Sequence, residues 1–197
     1  SRGLGDVYKR QLLGDAISRP HLALGDLGLI TEPERTALAH WQDGASTDLS
    51  WNTLVDAIEA QAAQRPDAPA LVDQRESLDF DMVNRSANQL AHYLRRHGIS
   101  RGDIVGLCLE PGPEAVVSLL GIVKAGAAYL PLDPAYPPGR LDAMITGSGA
   151  SLVLSKGELA DRLPETARIC RLDQLAATLA EESVENPATR PAPDDLL

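Results

Sequence analysis

Apolar residues recur every three or four positions along residues 78–98, and this is the clearest periodic pattern in the chain. The members of this apolar stripe are Phe80, Val83, Ala87, Leu90 and Leu94. Such spacing places them all on one side of a helix, so the pattern predicts an amphipathic helix over 78–98. We expect Asp79 to cap its first turn and Gly98 to end it in a left-handed backbone conformation.

Short apolar runs alternate with helical patterns on both sides of this helix. Strands are predicted over residues 70–72, 103–109, 129–132, 151–154 and 167–172. Helices are predicted over residues 53–64 (with Asn52 as the cap), 114–124, 140–146 and 172–180. The apolar runs at 103–109 and 129–132 are typical of strands buried in a parallel sheet. The alternation predicts an α/β fold, with a parallel-rich sheet flanked by helices on both faces.

The two ends of the chain differ from this alternating region. Residues 1–10 (SRGLGDVYKR) show no clear period and look like translated cloning or adapter sequence, so we predict a non-native leader there. Thr31 and Glu34 have the spacing of a reciprocal helix cap, and Leu38 gives the following helix an apolar side. Residues 181–197 carry three prolines and acidic residues, which indicates a linker or loop.

Composition narrows the functional classes. The chain has 197 residues and a net charge of −10 at pH 7, so nucleic acid is not expected as a partner. Cys108 and Cys170 lie far apart within apolar runs, which predicts reduced core thiols in a cytoplasmic protein and not a disulfide or zinc framework. No run of about 18 apolar residues is present, so we predict no membrane span.

Several polar features look like functional sites, but their positions favour structural roles. The glycine-rich residues 146–151 follow a predicted helix and precede a strand, which indicates a turn and not a phosphate-binding loop. Lys124 precedes Gly126 and is expected to be a cation at a helix C-terminus. His92 and His97 are five positions apart, which does not align them as metal ligands on a helix. A solvated helix face is expected for Arg85, Arg95, Arg96 and Arg101.

Two stretches carry a resemblance to a known family. Residues 123–138 (VKAGAAYLPLDPAYPP) and 78–98 (LDFDMVNRSANQLAHYLRRHG) resemble core motifs of the amino-acid adenylation domain of nonribosomal peptide synthetases. Met82 departs from the family pattern, which has a capping glutamate there. After the leader predicted over residues 1–10, the resemblance implies the end of a condensation domain and an inter-domain linker over 11–50. It implies the first part of a truncated adenylation (AMP-binding) domain over 51–197.

This resemblance implies a parent enzyme that activates an amino acid with ATP and Mg²⁺. Such an enzyme forms an aminoacyl-adenylate and passes the acyl group to the phosphopantetheine thiol of a carrier domain. The expected partners are an upstream condensation domain and a downstream carrier domain in the same polypeptide. The family's phosphate loop, of the TSGSTGxPKG type, is expected to follow Asp194–Asp195–Leu196. We therefore predict no catalytic, cofactor-binding or metal-binding residue in this chain, and expect the chain alone to be inactive.

Two other interpretations remain open from the sequence. The first is part of an acyl-CoA ligase, because many adenylate-forming enzymes share a KAG-then-proline pattern; the wording AAYLPLDPAYPP is closer to peptide synthetases. The second is a non-enzymatic interaction module in which residues 31–43 dock another domain. The identity of the amino acid is not encoded in any residue singled out above.

Overall fold

A computed structural model describes residues 3–28, 30–42, 51–74, 76–188 and 191–195. The chain divides into two compact units, residues 1–49 and residues 50–197. The first unit contains helix α1 (Gly3–Ser18), a 3₁₀ turn (Leu24–Asp26) and helix α2 (Glu32–Gln42). Residues 3–10 form the first half of α1, and their non-native origin stays a prediction.

The start of α2 is the reciprocal cap that the sequence predicts. The Thr31 amide donates to Glu34 Oε2 at 2.9 Å, and the Glu34 amide donates to Thr31 Oγ1 at 3.4 Å. No residue of α2 is buried, and the Trp41 side chain is 73% exposed. The predicted apolar side of α2 is therefore present, but its side chains are not buried.

The second unit begins with helix α3 (Leu54–Gln64), whose predicted cap is wrong by one position. The cap is Thr53 and not Asn52. Thr53 has extended backbone angles, and its hydroxyl accepts from the Asp56 amide at 3.1 Å while donating to the Asp56 carboxylate at 2.9 Å. Thr53 is the cap because its hydroxyl can bond to both the amide and the carboxylate of Asp56, three positions later.

An antiparallel pair of strands precedes the main helix of this unit. Strand β1 (Pro69–Val72) pairs with strand β2 (Ser77–Asp79). Arg75, between the two strands, lies outside the described residues. Helix α4 spans Phe80–Arg96, so it starts two residues later than predicted, because Leu78 pairs with Leu71 in the ladder.

The predicted caps of α4 are confirmed. Asp79 Oδ1 accepts from the Met82 amide at 2.7 Å, and Gly98 has a φ of 91°. The apolar stripe faces inward: Val83, Ala87, Leu90 and Leu94 are buried. The sequence pattern therefore identified both the helix and its buried face.

A four-stranded parallel sheet forms the centre of the second unit. Its strands are β3 (Ile104–Cys108), β4 (Ala128–Pro131), β5 (Leu152–Ser155) and β6 (Ile169–Arg171), in the spatial order β4-β3-β5-β6. The connecting helices are α5 (Pro113–Ala125), α6 (Pro138–Ser148) and α7 (Gly157–Asp161). A 3₁₀ turn (Leu172–Gln174) and helix α8 (Ala176–Ala180) follow β6. The predicted α/β fold with a parallel sheet is confirmed.

Helices cover both faces of this sheet. Val105 and Leu154 pack with α4 and α5 on one face, whereas Val153 packs with Leu141 and Ile145 of α6 on the other. Successive strand residues point to opposite faces, so one strand serves both cores. The two cysteines are buried and free in these cores, as predicted. Burial raises the pKa of both thiols, which keeps them protonated at neutral pH.

Strand β4 is less buried than its apolar sequence predicts. Ala128, Tyr129 and Leu130 are half-buried and Pro131 is exposed. Among the described strands, β4 pairs only with β3, so it lies at an edge of the sheet. An edge position also tolerates Pro131, which lacks an amide hydrogen for a second ladder.

Candidate functional site

A buried lysine lies at the centre of the most polar cluster in the second unit. Lys124 is in the last turn of α5, as predicted, but it is only 1% exposed. Its Nζ donates to Glu59 Oε1 at 2.7 Å and to the side-chain carbonyls of Asn84 and Asn88, each at 2.8 Å. The predicted position at a helix C-terminus is therefore correct, but the burial of Lys124 and its three polar partners were not predicted.

Three helices meet closely to build this cluster. Glu59 comes from α3, the two asparagines from α4 and Lys124 from α5. The approach of α5 to α4 depends on Gly121, where an added Cβ would lie 2.8 Å from Leu90 Cδ2. Because Gly121 is one turn before Lys124, this close contact brings the lysine to the asparagine side of α4.

The charges of the cluster are balanced and its donors are used. An ammonium group has three hydrogens and no acceptor, and three acceptors lie within 2.8 Å of Lys124 Nζ. The Glu59 carboxylate, with its side chain 8% exposed, supplies the opposite charge. Removing one member of such a pair leaves an uncompensated buried charge, which typically costs about 3–5 kcal/mol.

The cluster continues into the C-terminal part of the chain. Asn88 Nδ2 donates to the Val184 carbonyl at 2.7 Å and to Asn186 Oδ1 at 2.9 Å. Asn84 Nδ2 donates to the same Asn186 oxygen at 3.0 Å. We call residues 182–186 the C-terminal strap. It has no regular secondary structure, as predicted, but it is held to α4 by specific contacts.

A second set of contacts extends this attachment along α4. His92 Nε2 lies 2.9 Å from the Glu185 carbonyl, and Arg96 Nη2 lies 2.6 Å from Glu182 Oε1. We call the four α4 residues that hold the strap the polar stripe: Asn84, Asn88, His92 and Arg96. The strap therefore lies along about 18 Å of the helix, antiparallel to it.

The arginines near α4 are more engaged than the prediction of a solvated face suggests. Arg96 and Arg101 are 61% exposed, yet each forms an ion pair with the C-terminal part of the chain. Arg101 Nε lies 2.8 Å from Asp195 Oδ1, and the Ala192 amide donates to the other Asp195 oxygen at 2.7 Å. These donors lower the pKa of Asp195, with the Ala192 hydrogen bond as the largest cause. Arg95 is an exposed neighbour of Arg96.

Sequence reasoning missed the polar stripe, although a signal was present. Its four members follow one another at intervals of four residues, which places them on one side of α4. The pattern N-x₃-N-x₃-H-x₃-R occupies the same helix as the apolar stripe, which is the more regular and more easily recognised of the two. Its partners are about 90–100 positions away in the chain, so no local rule pairs them.

The other polar features have the local roles expected of them or bond to the backbone. Residues 146–148 form the last turn of α6, Gly149 caps it with a φ of 70°, and residues 149–151 connect it to β5. His97 Nδ1 lies 2.8 Å from the Tyr93 carbonyl. In the described ranges, no three His, Cys, Asp or Glu side chains are grouped as metal ligands. No helix among these residues has the length and apolarity needed to cross a bilayer.

The parallel sheet and its helices form an α/β fold, and the Lys124 cluster bonds to other side chains of the same chain. The model of the AMP-binding enzyme family matches residues 58–197, and the chain therefore belongs to the AMP-binding enzyme family. Within that family it corresponds to part of the adenylation domain of nonribosomal peptide synthetases, which confirms the resemblance seen in residues 78–98 and 123–138.

Two curated relatives illustrate this correspondence. A linear gramicidin synthase of Brevibacillus parabrevis is 42% identical over 182 residues, which cover 91% of this chain and 2% of that protein. Chondramide synthase cmdD of Chondromyces crocatus is 36% identical over 195 residues, which cover 96% of this chain and 5% of that protein. The chain therefore spans only a small fraction of the length of these relatives.

Solved structures agree with this assignment. The AMPPNP-bound form of the nonribosomal peptide synthetase FmoA3 matches with a TM-score of 0.78 and 27% identity, over 99% of this chain and 22% of that chain. VinN in complex with 3-methylaspartate matches with a TM-score of 0.66 over 75% of this chain and 43% of that chain. Its 22% identity supports the shared fold alone.

Proposed function

We propose that the chain is the structural first part of an adenylation domain in a longer nonribosomal peptide synthetase. That protein activates an amino acid with ATP and transfers the acyl group from an aminoacyl-adenylate to a phosphopantetheine thiol. The observation that carries this proposal is the 42% identity to a linear gramicidin synthase over 91% of the chain. An upstream condensation domain, a downstream carrier domain and a cytoplasmic location belong to the same proposal.

The described residues do not fit a site for Mg²⁺ or a triphosphate. They contain no group of three metal-ligating side chains, and the glycine-rich residues 146–151 end a helix instead of opening one. Lys124 is enclosed by Glu59, Asn84 and Asn88, which keeps its ammonium group away from a ligand. We therefore assign ATP and Mg²⁺ binding to other parts of the longer protein, and a scaffolding role to this chain.

ATP–pyrophosphate exchange tests this division of roles. We expect no amino-acid-dependent exchange from the 197-residue chain, and exchange from a protein extended through the downstream coding sequence to a full adenylation domain. Exchange by the chain alone would overturn the scaffolding role. An extended protein that activates fatty acids and transfers them to coenzyme A would instead support the acyl-CoA ligase interpretation.

A non-enzymatic docking role is the second candidate, and one observation favours it. The apolar side of α2 is exposed, with Leu38 at 40% and Trp41 at 73%. Asp43, at the end of the predicted docking region 31–43, lies outside the described residues. Binding of an isolated condensation domain to the chain, abolished by Trp41→Ser, would support docking. The absence of binding would remove this candidate.

A further inference from the structure

The buried pair of Lys124 and Glu59 has a consequence for the orientation of two amides. An ammonium group can only donate, so the asparagines next to it must present their oxygens. Asn84 Oδ1 and Asn88 Oδ1 both lie 2.8 Å from Lys124 Nζ. The Nδ2 groups of both side chains are therefore directed away from the lysine.

The C-terminal strap offers the acceptors that this orientation requires. The Val184 carbonyl and Asn186 Oδ1 receive three hydrogen bonds from the two Nδ2 groups, at 2.7–3.0 Å. An amide with its oxygen turned toward the strap would place acceptor against acceptor at these positions. The lysine thus determines that the two asparagines of α4 present their Nδ2 donors to the strap. Its own Nζ also lies 3.5 Å from Asn186 Oδ1, which is longer than its three other contacts.

We propose that Lys124 is a positioning residue whose buried charge orients Asn84 and Asn88 so that they hold the C-terminal strap against α4. Its effect is transmitted from α5 through the two amides to residues 184–186. The Arg96–Glu182 and Arg101–Asp195 ion pairs extend the attachment at either end. In this way one buried cation fixes the position of residues 184–186 beside α4.

Fold stability alone does not account for a buried ion pair. Well-packed apolar residues of similar volume often stabilise a protein as much as such a pair, or more. Apolar residues at positions 59 and 124 would fill the space but leave the two amides free to rotate. The positioning role therefore predicts that stability and strap attachment can be separated by replacing both charges together.

Hydrogen–deuterium exchange on the 197-residue chain makes this separation measurable. We compare Lys124→Met with the double variant Glu59→Leu/Lys124→Met, and monitor amides of residues 182–188 alongside those of β3 and β5. In the double variant we expect the urea midpoint to recover more than half of the loss caused by Lys124→Met. We expect exchange in the strap to stay about tenfold faster than in the unchanged chain, as for the loss of one or two hydrogen bonds.

A matched control comes from a second lysine ion pair in the same unit. Lys156 forms an ion pair with Glu114, and both side chains are 43% exposed. Neither belongs to the polar stripe that holds the strap. Lys156→Met should leave strap exchange unchanged. Protection of the strap in the double variant at the level of the unchanged chain would overturn the proposal, because orientation by Lys124 would then be unnecessary.

Asn88→Asp gives an independent test that keeps both members of the buried ion pair and applies even if the double variant does not fold. Aspartate can still accept from Lys124, but it cannot donate to Val184 or Asn186. Faster strap exchange with protected sheet amides supports the proposal, and unchanged strap exchange contradicts it. All these measurements concern the 197-residue chain, so they remain valid if the proposed adenylation function fails.

Discussion

The two sides of helix α4 are organised by different kinds of interaction. Its apolar side buries Leu90 and Leu94 against the sheet and α5, and Val83 in a separate cluster with Leu120 of α5. Its polar side holds residues 182–186 through hydrogen bonds and an ion pair. The apolar side is recognised from the sequence because removal from water favours any compact arrangement of the stripe. The polar side is matched to one partner, the strap, in one geometry. Its role is therefore recognised only in the folded chain.

The largest expected effect comes from placing a charge on the apolar side. Leu90 is 3% exposed and contacts Gly121, so an aspartate there would lose the leucine packing and bury a carboxylate. We expect Leu90→Asp to destabilise the second unit by about 5 kcal/mol or more, enough to unfold it. Circular dichroism during urea denaturation measures this.

Ser86→Asp is the control for that substitution, because Ser86 lies one turn earlier on α4 and is exposed. It introduces the same charge into the same helix without removing apolar packing, and should change stability by less than about 0.5 kcal/mol. A Leu90→Asp chain that melts like the Ser86→Asp chain would mean that the stripe is not part of the core.

The next effect is expected where the polar side meets the protein interior. Lys124→Met leaves the Glu59 carboxylate without its buried counter-ion, so we expect a loss of about 3–5 kcal/mol in the free energy of unfolding. Lys156→Met, which removes an ion pair that is 43% exposed on each side, should cost about 1 kcal/mol or less. Urea unfolding of the two variants compares them directly, and equal losses would contradict a special role for the buried pair.

The sequence predicts the features that depend on neighbouring residues, such as the apolar side of α4. It does not predict those that depend on distant partners, such as the polar side. The stripe from Val83 to Leu94, the Asp79 cap and the Gly98 stop are local, because each depends on residues within a few turns. The edge position of β4 is not local, since it depends on the order of strands across the sheet. The environment of Lys124 is the clearest case, because its partners are 36 to 65 positions away.

A smaller effect is expected at the end of the polar stripe. Arg96 is 61% exposed and Glu182 only 9%, so their pair is partly screened by solvent. A double-mutant cycle with Arg96→Gln and Glu182→Gln should give a measurable coupling energy of about 0.2–1 kcal/mol. Arg95→Gln and Glu181→Gln are the controls, since these exposed neighbours should show no coupling to each other. Zero coupling between Arg96 and Glu182 would exclude this pair from the attachment of the strap.

The smallest expected effect is a pH dependence at residues 191–195. The pKa of Asp195 is lowered, first by the Ala192 amide and then by Arg101, so its folded-state pKa lies below its unfolded value. The resulting stabilisation is complete above the ordinary aspartate pKa of about 3.9 and is lost as the pH falls through the folded-state value. We expect the attachment of Asp195 to persist at pH 5 and to weaken below about pH 4.

Arg101→Gln tests the causes of the lowered Asp195 pKa separately. It removes the contribution of Arg101 and leaves the hydrogen bond from the Ala192 amide. The Ala192 amide still donates to Asp195 at 2.7 Å, so the pKa of Asp195 should rise only part of the way toward its ordinary value. Carbon-13 NMR titration of the carboxyl group measures the pKa, with Arg95→Gln as the control for a general change in charge. A pKa that returns fully to the ordinary value in Arg101→Gln would show that the arginine holds the turn at residues 192–195 in place. Residues 192–195 would then depend on an exposed ion pair, whereas the strap depends on the buried lysine.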